Sequence, residues 1–465
     1  MNRIKQLFKT AESRNGSFSL GVVAIVIGII VVLNLIIGQL PENIRNIDIS
    51  SNKIYEISDT STTMLDSLDK KITFTVLADK DGTDDRIKTF LSKYTALSNK
   101  ISVEWIDPVL HPSALTEYNT TSSTIVVACA DTDKSTTISF DDIIVTDEMS
   151  AYYYGTASET EFDGEGQLTS AINYVTSEVT HTIYRTTGHG EATFSTSLSD
   201  MIAKANYTVS EANLVMDAAI PDDCDLLIMN APTTDLSEDE ATAISDYLAD
   251  GGKVMVLLGD TEAADVPNLS SILKVYGLEQ ADGYIADTSR CYQGNYYYLF
   301  PELSVSGDMA DGISSQMVMM INSHGFDEVD PARDTITETP FMTTSSNGYA
   351  VKDDNTMAQG TYVMGAVSTE DTDNGTARLT VISSASMIDS QITDAMPTLE
   401  NTTLFMNAVT SNFDGVTNIS VEAKSLTAET NTIQNGGMYS MLFILVIPLL
   451  VLISGFVVWF RRRKA

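Results

Sequence analysis

The residues best suited to chemistry in this chain form one short loop, Gly188-His189-Gly190-Glu191. A strand is predicted just before the loop and a helix after it, which places the loop at the carboxyl end of a sheet, where α/β folds bind ligands. The glycines would let backbone N–H groups approach a ligand, and His189 with Glu191 could move a proton or hold a metal ion. Alternatively the loop is structural. The glycines then form a tight turn, His189 hydrogen-bonds a neighbouring loop, and Glu191 favours the helix N-terminus.

No nucleophile or third ligand is evident beside this loop, so the sequence assigns no catalytic, cofactor-binding or metal residue. The chain has no Gly-x-x-x-x-Gly-Lys-Ser/Thr, Gly-x-Ser-x-Gly or His-Glu-x-x-His motif. It therefore does not itself hydrolyse ATP through a P-loop. Its 4 histidines are widely separated in sequence, at His111, His181, His189 and His324. We expect no cofactor.

Two α/β domains are predicted to position the loop. In the first, residues 39–180, Ile72–Val76 alternates as a strand, a helical pattern follows, and Ile101–Trp105 alternates again. Strand–helix–strand at this spacing predicts a parallel crossover, and the whole predicts a small α/β domain of thioredoxin-like layout. The chain has only 3 cysteines and no Cys-x-x-Cys, which excludes thiol redox chemistry of that class.

Residues 181–419 are predicted to form a second, doubly wound α/β domain with a mostly parallel sheet, because buried strands such as Asp225–Asn230 and Lys253–Leu258 alternate with helices. Ser237 and Glu240 form a capping box before one of these helices. The arrangement resembles the class I glutamine-amidotransferase-like sheet, in which the strand Lys253–Leu258 would lead to the nucleophile. Here it ends in Leu258-Gly259-Asp260 without Cys or Ser, so we expect no enzyme of that type.

Two uncharged apolar stretches, Leu20–Ile37 and Met441–Phe460, are long enough to span a bilayer. Lys and Arg flank the outer end of each, which marks the cytoplasmic side. The expected protein is a two-span protein of the cell membrane with both termini cytoplasmic and residues 39–440 extracytoplasmic. The alternative, a cleaved signal peptide, fits less well because the apolar core is long and no Ala-x-Ala-like site follows it.

The predicted organisation runs along the chain as a basic cytoplasmic tail at 1–17, transmembrane helix 1 at 18–38, the small domain at 39–180, the doubly wound domain at 181–419, a polar tether at 420–440, transmembrane helix 2 at 441–460 and a basic tail at 461–465. The net charge is -36, with 63 Asp and Glu against 27 Lys and Arg. Because both tails are basic, the acidity lies in the region between the spans. That region repels polyanions, so nucleic acid is not an expected partner.

The order of these features resembles a known family. It runs from the basic start and anchor helix through Asn52–Ser58, Leu168–Ile172 and Thr187–Glu191 to a final span closed by Arg461-Arg462-Arg463. Over nearly the whole chain this is similar to the GldG type of ABC-transporter auxiliary protein, named from the gliding-motility apparatus of bacteria. The resemblance implies a partner ATPase and a multi-span permease of the ABC-2 exporter kind, with this chain as a non-catalytic outer subunit. It implies neither cargo nor catalytic residues.

Two other functions stay open at the level of sequence. One is a membrane-anchored hydrolase that uses His189 and Glu191. The other is a membrane-tethered carbohydrate- or peptide-binding protein, for which the aromatic triplets Tyr152–Tyr154 and Tyr296–Tyr298 would stack on sugars or dock a partner. Alternation within an edge strand is the simpler explanation of both triplets.

Overall fold

The computed structural model describes residues 53–147, 157–177, 179–352, 357–393, 398–413 and 418–426, together with 28–29, 396 and 416. Within these ranges no helix is long and apolar enough to cross a bilayer. The predicted spans, the basic tails and the triplet Tyr152–Tyr154 lie outside the described ranges, except for residues 28–29 of the first span, which are helical.

The small domain begins with capped helices because Ser58 and Asp84 accept hydrogen bonds from the first N–H groups of α1 and α2. Its elements follow in the order α1 (Asp59–Ser67), β1 (Ile72–Leu77), α2 (Asp85–Thr95), β2 (Ile101–Ile106), α3 (Ser113–Glu117), β3 (Thr124–Cys129), β4 (Lys134–Ser139), α4 (Phe140–Ile143), β5 (Ile144–Asp147), β6 (Ser158–Phe162) and α5 (Gly164–Thr176).

The predicted parallel crossover of the small domain is confirmed. β1 and β2 are parallel, in register from Ile72 opposite Ile101 to Leu77 opposite Ile106. β3 is antiparallel to β1 and β4 is antiparallel to β3, which gives the strand order β2-β1-β3-β4. α5 packs on β3 and β4, and α2 packs against α5, so that Tyr94 is fully buried between them. Its hydroxyl hydrogen-bonds Thr169 of α5 at 2.7 Å.

One carboxylate, that of Glu165 in α5, connects residues near the two ends of the main described part of the chain. Its Oε1 accepts hydrogen bonds from the N–H and the hydroxyl of Ser58 and from the hydroxyl of Ser61, at 2.6–2.8 Å. Its Oε2 lies 3.0 Å from the ammonium of Lys424. Lys424 belongs to β23 (Lys424–Ser425), which pairs antiparallel with β6. The first residues of the predicted tether are therefore part of the small domain's surface.

The larger domain contains β7 (Thr182–Thr187), α6 (Thr196–Lys204), β8 (Thr208–Asn213), β9 (Leu226–Asn230), α7 (Glu238–Ala249), β10 (Lys253–Leu257), α8 (Pro267–Val275), β11 (Leu278–Gln280), β12 (Tyr284–Asp287), β13 (Cys291–Tyr292), β14 (Asn295–Leu299), β15 (Glu302–Leu303), β16 (Met320–Ile321), β17 (Phe326–Glu328), β18 (Ile336–Thr343), β19 (Gly348–Val351), β20 (Met357–Gly360), β21 (Val363–Thr372), β22 (Gly375–Ile382), α9 (Ser390–Thr393) and α10 (Asn401–Thr410).

The prediction of a mostly parallel sheet is corrected by the structure to a mixed sheet of ten strands. β8-β7-β9-β10-β22 are parallel neighbours, with helices on both faces. Beyond β22 every pairing is antiparallel: β21 pairs with β22, β17 and β18 pair with β21, and β11 pairs with β17. β21 is antiparallel to β22 because a short turn between Thr372 and Gly375 joins them, and a tight hairpin reverses the chain, whereas a parallel neighbour requires a long crossover.

The two domains meet at the end of α6. The ammonium of Lys204 lies 2.7 Å from Asp163 of the small domain and 2.6 Å from Asp200 in its own helix. The side chains of Lys204 and Asp163 are 5% and 3% exposed, so this ion pair is shielded from water. The amide of Asn206 donates a hydrogen bond to the carbonyl of Ser170 in α5 at 3.2 Å. Charge pairing and hydrogen bonding thus hold α6 against α5.

Candidate functional site

The loop Gly188–Glu191 follows β7 at a special point of the sheet. Among the parallel strands, β7 lies between β8, which follows it in sequence, and β9, which begins the series that extends the other way. Connections leave the carboxyl ends of β7 and β9 in opposite directions at such a topological switch point, and ligands of α/β sheets bind there. The structure therefore places the predicted loop at the position expected for a binding site.

Both glycines of the loop are required by its geometry. Gly188 and Gly190 have φ of +116° and +77°, a backbone region that strains other residues. A Cβ on Gly188 would lie 2.6 Å from Val215, and one on Gly190 would lie 2.1 Å from the hydroxyl of Thr233. A side chain at either position would thus meet neighbouring side chains of the protein.

His189 is held by two glutamates and by a neighbouring loop. Its Nε2 is 3.2 Å from Oε2 of Glu240 in α7, and its Nδ1 is 3.6 Å from Oε1 of Glu191. The backbone N–H of His189 donates to the carboxylate of Glu191 at 2.8 Å. The backbone carbonyl of His189 accepts from the N–H groups of Thr233 and Thr234 at 2.9 and 3.1 Å. The imidazole therefore bridges the loop after β7 and the first turn of α7.

The carboxylate of Glu240 accepts hydrogen bonds from two sides. Burial would raise the pKa of Glu240, but the hydrogen bonds from Ser237 and the contact with His189 outweigh it and lower the pKa below its usual value. An ionised carboxylate only accepts hydrogen bonds, so the Nε2–H of His189 is the donor. The same carboxylate closes the predicted capping box of α7 by accepting from the Ser237 N–H at 2.6 Å. Ser237 and Glu240 thus form the capping box that the sequence indicates.

Burial limits what this cluster can do chemically. The side chains of His189, Glu191 and Glu240 are 5%, 1% and 4% exposed. Within the described ranges no group of three His, Cys, Asp or Glu residues is arranged to hold a metal ion. In this arrangement the imidazole positions the loop rather than facing a substrate. A ligand-binding role for Gly188–Glu191 stays a prediction.

A second polar cluster follows β10, at the position where the amidotransferase-like sheet would carry its nucleophile. Gly259 lies against the loop after β9, and Asp260 accepts a hydrogen bond from the hydroxyl of Tyr284. The Tyr284 ring stacks on His324 with centroids 4.9 Å apart. The Nδ1–H of His324 donates to the carbonyl of Gly283 at 3.0 Å, and its Nε2 is 3.8 Å from Asp260.

The second cluster is not apparent from the sequence, because Asp260, Tyr284 and His324 are separated by dozens of residues in a region of short strands and no shared motif connects them. The expectation that Tyr296–Tyr298 alternates within an edge strand is wrong. These residues lie on β14, which is the middle strand of the three-stranded sheet β13-β14-β16 rather than an edge strand.

Comparison with known proteins identifies the class of the chain. Residues 180–412 match the family described as an ABC-type uncharacterized transport system, and residues 51–146 match a domain of unknown function, DUF7088. No curated protein matches the chain.

Three solved structures resemble part of the fold. The N-terminal domain of mmIFT52 is 14% identical with a TM-score of 0.39, covering 50% of this chain and 96% of that one. A ThuA-like protein from Bacteroides uniformis is 10% identical with a TM-score of 0.31, covering 50% and 90%. PurLQS from Thermotoga maritima is 10% identical with a TM-score of 0.30, covering 50% and 98%. At these TM-scores the likeness carries no argument about function.

The chain is thus a mixed α/β protein of the class that assists ABC transport. It belongs to the family of ABC-type transport auxiliary proteins, whose match extends over the larger domain described above.

Proposed function

We propose that this chain is the non-catalytic, extracytoplasmic accessory subunit of an ABC-2-type exporter of the GldG type, and that it acts with a separate ATPase and permease. The family match over residues 180–412 carries this proposal. The geometry supports the non-catalytic part, because the side chains of His189, Glu191 and Glu240 are 5%, 1% and 4% exposed and contact one another rather than solvent.

The finer fold assignments belong to the same proposal. We infer a thioredoxin-like small domain, which the order β2-β1-β3-β4 and the parallel β1–β2 pair support. We infer an amidotransferase-like doubly wound core in the larger domain, which the five parallel strands with helices on both faces support. Neither domain carries the reactive cysteine of the proteins it resembles, so both would serve as scaffolds for contacts with partner subunits.

The partner proposal is tested by purification of the tagged full chain in mild detergent, followed by mass spectrometry. We expect an ATPase and a multi-span permease to co-purify with it. The matched control is the same purification with an unrelated tagged two-span protein of the same membrane, which should recover neither. Failure to recover both subunits under conditions that preserve other membrane complexes would contradict the proposal.

The topology is tested by cysteine labelling of intact cells, in a chain whose own cysteines are replaced by serine. Met216 is 82% exposed in the larger domain, so Met216→Cys should react with a membrane-impermeant maleimide. Lys464→Cys, in the predicted cytoplasmic tail, is the matched control and should react only after lysis. If Lys464→Cys reacts in intact cells and Met216→Cys does not, the orientation is the reverse of the one proposed.

A further inference from the structure

A polar cleft of about 330 Å³ opens on the larger domain, away from the loop Gly188–Glu191. Its central side chain is Arg378, on β22. Arg378 pairs in register with Lys253, the first residue of β10, so the cleft lies at the amino ends of the parallel strands. We name it the Arg378 cleft. Its volume is at the lower end of the range for small-molecule sites, which is about 300–1,000 Å³.

Arg378 differs from the other arginines of the described ranges because neither a carboxylate nor a backbone carbonyl accepts a hydrogen bond from its guanidinium. Arg86, Arg185 and Arg333 each form an ion pair, and Arg290 donates to two backbone carbonyls. Arg378 makes one side-chain hydrogen bond, from Nη2 to the hydroxyl of Ser411 at 2.9 Å, and its buried Nε has no partner in the described structure. Burial lowers the pKa of its guanidinium.

The rest of the lining suits a small ligand with hydroxyl groups. Five hydroxyl-bearing side chains line the cleft together with Arg378, namely Ser304, Ser306, Thr339, Thr369 and Ser411. Hydroxyls of Ser and Thr both donate and accept, so they can match the hydroxyls of a ligand. Apolar side chains, among them Val305 and Phe341, complete the lining and exclude water from one side of the ligand.

The local charge also favours an anion, in contrast to the acidity of the chain as a whole. Asp308 is the one acidic residue among those that line the cleft, and it is exposed. Lys253 lies on the same face as Arg378, with its ammonium 5.7 Å from the centroid of the Phe413 ring. The acidic residues Glu338 and Glu370 neighbour lining residues in sequence, but alternation along a strand directs them to the opposite face of the sheet.

We propose that the Arg378 cleft binds a small hydroxylated organic anion whose carboxylate or phosphate group pairs with the guanidinium of Arg378. A planar guanidinium presents several N–H groups in one plane and is therefore suited to bidentate contact with such a group. Five hydroxyls and an apolar wall then select for ligands that carry hydroxyls on a short carbon chain. The proposal concerns a binding site alone and stands independently of the transporter assignment.

Isothermal titration of the full chain in detergent tests the site with two matched pairs of probes. Gluconate and glucitol differ by a carboxylate, and glycerol 3-phosphate and glycerol differ by a phosphate. We expect at least one of the two anions to bind and both neutral probes to bind at least about tenfold more weakly, as the loss of a charge-assisted hydrogen bond requires. The two arms distinguish a carboxylate ligand from a phosphate ligand. Equal binding of an anion and its neutral partner, or no binding by either anion, overturns the proposal.

Variants locate the binding at Arg378. Arg378→Gln should weaken binding of the anion by on the order of tenfold to a hundredfold. Arg333→Gln is the matched control, since Arg333 lies at the opposite face of the sheet and pairs with Glu370, and it should leave binding unchanged. If Arg378→Gln does not fold, Thr369→Val removes one lining hydroxyl from the same cleft and should weaken binding severalfold. Unchanged binding in the folded variant refutes the assignment.

Discussion

The buried ion pair between Lys204 and Asp163 offers a quantitative test of how the two domains are held together. Lys204→Met keeps most of the side-chain volume and removes the charge. Asp163 would then retain one side-chain hydrogen bond, from Gln167 at 2.7 Å, while its Oδ1 has no partner in the described structure. A buried carboxylate that loses its cation costs about 3–5 kcal/mol of folding free energy.

This cost depends on pH because the pKa of Asp163 is displaced. Burial raises the pKa of its carboxyl to about 6, and the charge and hydrogen bond of Lys204 offset only part of that effect. In the unfolded chain the pKa is about 3.9, so the folded state retains the proton to higher pH. The stability from this difference is fully present below about pH 4 and is lost as the pH rises through about 6, by roughly 3 kcal/mol in all.

Lys204→Met should therefore be costly at high pH and mild at low pH. We expect a loss of about 3 kcal/mol at pH 8, the lower end of the range for a broken buried pair, because proton uptake by Asp163 limits it. At pH 5 the carboxyl is already mostly protonated, and the loss should be about 1 kcal/mol. Urea denaturation of the full chain in detergent measures both, with Trp105 of the small domain as the fluorescent reporter in a Trp459→Phe background.

Two further variants complete this experiment. Lys274→Met is the matched control, because Lys274 is 57% exposed and pairs with Glu279 at the surface, so it should cost less than about 1 kcal/mol. Adding Asp163→Asn to Lys204→Met should restore most of the lost stability, since no buried charge then remains. A loss that is the same at pH 5 and pH 8, or no larger than that of the control, refutes the reasoning.

Three other results are expected. Gly190→Ala should cost about 1–3 kcal/mol in the same titration, because φ is +77° and its Cβ would lie 2.1 Å from Thr233. Gly294→Ala is the control, because Gly294 has φ +80° and open space around it, and it should cost less. Equal costs would show that the contact with Thr233 is unimportant. Burial raises the pKa of Cys224 to about 11, so iodoacetamide at pH 8 should modify it on the order of a hundredfold more slowly than an unfolded thiol, as followed by mass spectrometry. Rapid modification would contradict this burial. Ser237→Ala should cost about 1 kcal/mol through loss of the α7 cap, and an unchanged melting temperature would count against it.

The sequence predicted those parts of the fold that depend on local patterns. The parallel crossover of β1 and β2 followed from alternating and helical apolar spacing, and the capping box at Ser237 followed from residue types three apart. The antiparallel half of the large sheet was missed, although Asn374-Gly375 between two alternating runs is a hairpin signal. The local signal was present, but the expectation of alternating strands and helices was extended too far along the chain.

The candidate sites were less predictable, since they depend on residues that are distant in sequence. The loop at His189 was identified from its own residue types, but its partner Glu240 lies 51 residues away and no pattern connects the two. The isolation of Arg378 is likewise invisible in a sequence with 63 acidic side chains, because the sequence does not show which arginines they neutralise. Only the tertiary structure shows that Arg378 lacks a carboxylate partner within the described ranges.

The position of Glu165 has a mechanical consequence. The segment that leads in from the first predicted span and the segment that leads out toward the second are both attached to this side chain, through Ser58 and Lys424. A force that draws the two anchors apart would therefore load these contacts before it reaches either core. α5, which carries Glu165, also contacts the larger domain through Asn206, so the load would pass directly to the joint between the two bodies.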